Sequence, residues 1–119
     1  MQDKLSLFKA NAFKSPSRCD SEFTKAQNAR YKISAPFQVQ YPISALRDKK
    51  EGFVNMEFDL SQDGIPININ IIESYPERMF NRESERNLSR ARYELKSAGI
   101  STNNTCLSVQ LNYFLQDKT

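Results

Sequence analysis

The side chains that usually carry catalysis are sparse in this chain. It has no histidine and only two cysteines, Cys19 and Cys106. Without histidine there is no Ser-His-Asp or Cys-His nucleophile and no histidine-ligated metal, and two cysteines alone do not complete a structural zinc site. Carboxylates are plentiful, yet no pair stands in an apolar surround that would drive their pKa values apart. No glycine-rich phosphate loop is present. These features argue against an enzyme and against a bound cofactor or metal. Cys19 and Cys106 form either a disulfide or two separate thiols, and the sequence leaves that open because it does not give their Cα separation. Arg78, Arg82, Arg86 and Arg90 recur every four residues and read as one basic stripe along a helix. Such a stripe meets acidic groups or is a solvated face partly neutralised by Glu77, Glu83 and Glu85. No stacking aromatics interleave it, so the solvated reading is preferred and nucleic acid is not expected as a partner.

The elements that must position these groups fit one domain of 119 residues, 39% apolar and 26% charged. No apolar run is long enough to cross a bilayer as a helix, and residues 1–9 lack the apolar centre of a secretory signal. The net charge of +3 is unevenly placed. Residues 1–35 sum to +4 and residues 36–119 to −1. The first stretch reads as a weakly ordered or peripheral basic arm or linker. Within it a short amphipathic helix around 22–31 would take Asp20 or Ser21 as its N-cap. The arm either contacts an anionic surface or is a solvated linker, and the linker is preferred.

The compact part is expected to span 36–119. Pro36 and Pro42 hold their preceding residues extended, and Pro42 suits the first turn of a helix over 42–49. From 53 to 60 the pattern alternates, with Val54, Met56, Phe58 and Leu60 on one face and Asn55, Glu57 and Asp59 on the other. Asp63-Gly64 marks a turn. Ile65, Ile67, Ile69 and Ile71 then resume the alternation, which predicts a hairpin. Ser74-Tyr75-Pro76 breaks the strand. Phe80, Ser84, Leu88 and Ala91 recur at helical spacing over 77–92. A last strand spans 106–115, with Leu107, Val109, Leu111, Tyr113 and Leu115 on its apolar face. The fold class is therefore α+β, a three-stranded antiparallel sheet with two helices packed on one face in the order α-β-β-α-β, preceded by an N-terminal arm. The other face is left to water or to a partner. The last strand ends in Tyr113-Phe114-Leu115 and lacks the lysine or proline that protects many edges. Such an edge accepts an extended peptide, or it is blunted by a second copy or by the arm.

These residues resemble the C-terminal domain of the TonB energy-transducer family. The resemblance begins at Gln38-Val39-Gln40-Tyr41-Pro42 and continues through Ala45-Leu46, Glu51-Gly52-Phe53-Val54, Phe58-Asp59-Leu60 and Asp63-Gly64. It runs on through Met79-Phe80, Arg82-Glu83, Arg92-Tyr93-Glu94 and the closing strand. The resemblance implies a periplasmic domain that binds the TonB box of outer-membrane transporters by β-strand addition. The implied recognition residues are Gln38, Val39, Gln40 and Tyr41, with Val109, Gln110, Leu111, Asn112, Tyr113, Phe114 and Leu115 on the last strand. Coupling to an inner-membrane proton-driven motor complex would require a membrane anchor. The chain is thus expected to be an excised, otherwise anchored domain. The alternative is a standalone TonB- or TolA-like envelope interaction domain, or a homodimer through the same edge. Val39 stands where the family usually has proline, and Ala91 and Leu95 depart from its pattern before and after Arg-Tyr-Glu. These departures bear on the choice of transporter rather than on the fold.

Overall fold

The computed structural model describes residues 3–35, 39–97 and 103–115. The strongest sequence pattern forms its centre. Strand β3 (Gly52–Leu60) pairs antiparallel on one side with β4 (Pro66–Tyr75) and on the other with β6 (Leu107–Tyr113). Val54, Met56 and Phe58 are wholly buried and pack with Leu107, Leu111 and Tyr113. Helices α3 (Ile43–Arg47) and α4 (Asn81–Ser89) contribute Ala45 and Leu88 to the same core. The α+β architecture expected from the alternation is the observed one.

The strand count is larger than expected. A short β1 (Phe13–Lys14) pairs with β4, giving the sheet order β1-β4-β3-β6. A second, two-stranded sheet joins β2 (Tyr31–Ala35) to β5 (Arg92–Leu95). The helix expected over 77–92 is correspondingly shorter. Its stripe of Phe80, Ser84, Leu88 and Ala91 is fully buried as the spacing implies. Residues 92–95, however, leave the helix to pair with β2. Arg78 precedes the helix and Arg90 caps its C-terminus, so the four arginines do not form one helical stripe. At α3, Pro42 is the cap residue, and its carbonyl accepts the Leu46 N–H at 2.9 Å.

Strand β4 also corrects two expectations. It does not break at Ser74, because Ser74 and Tyr75 continue the ladder opposite Val54 and Phe53. Nor do Ile65, Ile67, Ile69 and Ile71 share one face. The register shifts twice along β3–β4, and Asn68 has φ 53° at one shift. Each extra residue exchanges the faces beyond it. Pro66 and Ser74 are therefore buried and Ile69 and Ile71 pack on the core, while Ile67 is turned outward.

The larger correction concerns residues 3–35, which do not run as a loose linker. Helix α1 (Lys4–Ala10) starts with the Asp3 carboxylate accepting the Ser6 N–H at 2.8 Å. Helix α2 (Ser21–Arg30) starts with Asp20 accepting the Phe23 N–H at 2.9 Å, the cap the sequence suggests. Yet α2 is not amphipathic, and Gln27 is its one buried residue. Together these elements cover the sheet face that the alternation leaves to water or to a partner. Beneath them Phe53 and Glu57 are 0% and 1% exposed.

Candidate strand-addition edge

Among the described residues strand β6 is an edge strand, with β3 as its one partner in the sheet. Its main-chain groups alternate between the β3 side and the open side. The Ser108 N–H points to the open side, where the Asn28 side chain meets it at 2.9 Å. Gln110 and Asn112, at two-residue spacing, present their N–H groups in the same direction. Among the described residues neither N–H has a hydrogen-bond partner outside the β3 ladder.

The sequence-expected residues gather around this strand from both sides. Tyr113 points into the core, its ring stacked on Phe80 at 4.3 Å between centroids. Its hydroxyl meets Ser84 Oγ at 2.8 Å and accepts from the Asn87 amide at 3.2 Å. Burial pushes the Tyr113 hydroxyl above the ordinary phenol range. Asn87 also holds the Gln40 main chain, accepting its N–H at 3.2 Å and donating to its carbonyl at 3.3 Å. The Tyr41 ring stands edge-on to Tyr113, with its hydroxyl donating to the Lys50 and Tyr113 carbonyls. Thus Gln40 and Tyr41 lie beside the end of β6, and Val39 is exposed next to them. Gln38 lies outside the described residues.

Val109 and Leu111 face the core, whereas Gln110 and Asn112 share the other face, bonded to each other through their side chains at 3.0 Å. Phe114 and Leu115 follow β6. Phe114 lies against Phe8 and under the Lys4 ammonium, and the Leu115 N–H donates to the Glu51 carboxylate. Lys4 in turn bridges to Glu51 at 3.1 Å. Sequence reasoning misses Glu51, Asn87 and Asn28 as organisers of the strand. Each acts across a separation of 26 to 80 residues, which no local pattern reports.

Cys19 and Cys106 are disulfide-bonded, with their Cα atoms 5.8 Å apart. The bond ties the start of α2 to the residue before β6. No group of three or more potential metal ligands occurs among the described residues, and none of their helices is long and apolar enough to cross a membrane.

Residues 38–115 match the family model of the Gram-negative bacterial TonB protein C-terminal region. The chain belongs to the TonB C-terminal family. It is 40% identical over 57 residues to protein TonB of Escherichia coli (strain K12), a stretch covering 48% of this chain and 24% of that protein. It is 35% identical over 68 residues to protein TonB of Klebsiella pneumoniae, covering 57% and 28%. The chain thus spans about a quarter of the length of these curated relatives. The solution structure of the Pseudomonas aeruginosa TonB C-terminal domain superposes with a TM-score of 0.65 at 24% identity, covering 76% of this chain and 92% of that one. The TonB2 protein of Vibrio anguillarum gives 0.56 at 25% identity, covering 88% and 96%. The TonB match begins after β2, so α1, β1 and α2 lie outside the matched region.

Proposed function

We propose that this chain is the periplasmic recognition domain of a TonB-type energy transducer and binds the TonB box of outer-membrane transporters. In this reading the box adds as a strand to β6, opposite Gln110 and Asn112, and supports active uptake. The observation that carries the reading is the edge position of β6, with its unpartnered outward N–H groups. Main-chain hydrogen bonds would supply affinity with little demand on sequence, and neighbouring side chains would select the partner. Gln38, Val39, Gln40 and Tyr41 are the selecting segment; the last two stand beside Tyr113. Force from an inner-membrane motor complex would reach the box through this contact if the full-length protein carries an anchor. The reading is of a binder rather than an enzyme. Titration of the isotope-labelled chain with a TonB-box peptide should shift the amides of Gln110 and Asn112 and those around Gln40. Absence of shifts there with any such peptide would refute it. A second copy docking on the same edge is the competing reading, and would appear as concentration-dependent shifts without peptide.

A further inference from the structure

We propose that Asn28 closes the β6 edge at Ser108, so that an added strand starts at Gln110 and its register is set by the N-terminal segment. The proposal rests on the strand-addition reading for its partner but on separate contacts for its geometry. Asn28 Oδ1 accepts the outward Ser108 N–H at 2.9 Å, and Asn28 Nδ2 donates to Ser108 Oγ at 3.0 Å. The side-chain amide therefore occupies the hydrogen-bonding position that an added strand would need at Ser108. Two residues further along, the equivalent N–H of Gln110 is open. The ladder is available from there onward and not before.

The helix carrying Asn28 is fixed by polar and covalent links rather than by an apolar face. The Cys19–Cys106 bond anchors its start. Gln27 Nε2 donates to the carbonyls of Asn103 and Thr105 at 2.9 and 2.8 Å, in the segment leading into β6. The Tyr31 hydroxyl, at the helix end, reaches Asn104 Oδ1 at 2.7 Å. Upstream, Arg18 bridges to Asp59 at 3.1 Å, and Asp59 accepts the Cys106 N–H at 3.0 Å. These contacts hold α2 in register with β6 along its first residues. A strand advancing past Gln110 must displace Asn28, giving up both hydrogen bonds to Ser108. Because an added strand reads alternate side chains, a fixed starting point decides which residues of the partner face Gln110 and Asn112.

Amide hydrogen exchange on the oxidised full chain tests the closed edge without any peptide. The Ser108 amide should exchange at least about tenfold more slowly than those of Gln110 and Asn112. In Asn28→Ala it should rise to their rate. In Asn28→Asp, which keeps the acceptor oxygen and guards against a folding defect in the alanine variant, it should stay slow. A Ser108 amide that exchanges as fast as Gln110 in the unaltered chain overturns the proposal. With a TonB-box peptide, shifts should stop at Gln110 in the unaltered chain and extend to Ser108 in Asn28→Ala. Extension to Ser108 in the unaltered chain also overturns it. A peptide that does not bind at all defeats the strand-addition reading, while the exchange pattern still decides whether Asn28 closes the edge.

Discussion

Arg18 donates its main-chain N–H to the Glu57 carboxylate at 2.8 Å, although the two residues stand 39 apart in sequence. The same carboxylate accepts from Ser17 Oγ at 2.6 Å and Asn70 Nδ2 at 2.7 Å, with the Arg18 guanidinium at 3.5 Å. This one buried acid pins the N-terminal segment across the sheet. Burial pushes the Glu57 carboxyl up, but its donors pull harder the other way and hold it below the ordinary carboxylate range. Asp59 is lowered in the same way, by Asn68, the Cys106 N–H and Arg18 against its burial.

Two carboxylates with lowered folded values stabilise the fold above the ordinary carboxylate range, and that contribution is lost as pH falls through the lowered values. Melting curves should therefore show a midpoint that drops below about pH 4. Glu57→Ala should cost about 1–3 kcal/mol at neutral pH, because it removes the charged acceptor shared by Ser17, Arg18 and Asn70, and should flatten the acid limb. An unchanged acid limb in the variant would assign it to other groups.

The Cys19–Cys106 bond closes a loop with a sequence separation of 87 residues. Intact mass before and after reduction should report one disulfide. The double Cys→Ser variant should lose on the order of 2–4 kcal/mol in urea unfolding. Two free thiols in an oxidising buffer would contradict the bond.

Tyr113→Phe removes the hydroxyl that Ser84 and Asn87 share in the core. A loss of about 1–3 kcal/mol is expected from the polar groups left behind. Because Asn87 also holds the Gln40 main chain, the Gln40 amide should shift as well. A stability loss with no change at Gln40 would mean that the two ends of this network are not coupled.

Gly64 lies at φ 77° in the β3–β4 turn, and a Cβ there would sit 2.1 Å from the Tyr93 carbonyl oxygen. Its own carbonyl accepts the Tyr93 N–H at 2.9 Å, so the turn is docked on β5. Gly64→Ala should cost more than about 1 kcal/mol by combining a strained backbone with a close contact. A neutral result in denaturant unfolding would show that the turn can move away from β5.

Proline lacks the N–H that an added strand would need at Gln110. An outward-facing edge position tolerates it better than any inward one. Gln110→Pro should keep its melting midpoint within a few degrees and bind a TonB-box peptide about tenfold more weakly, by loss of roughly one hydrogen bond. Unchanged affinity would place the peptide elsewhere.

Much of this architecture is written in local pattern. The alternation of Val54, Met56, Phe58 and Leu60 reports a face buried against apolar neighbours. The spacing of Phe80, Ser84 and Leu88 reports a helix lying on it, because burial on one side selects period 2 in a strand and period 3.6 in a helix. The ordered motifs from Gln38-Val39-Gln40-Tyr41-Pro42 to the last strand carry the resemblance to the family. What the tertiary structure alone decided is the fate of the second sheet face and of the β6 edge. Glu57 and Asn55 look alike in the alternation, yet Glu57 is buried because Ser17 and Arg18 arrive from far upstream. Asn28 looks like any exposed helical residue until Cys106 brings Ser108 beside it. These contacts are polar, single and long-range. They leave no periodic trace in sequence, because hydrogen bonds need one matched partner in space and not a repeated residue type along the chain.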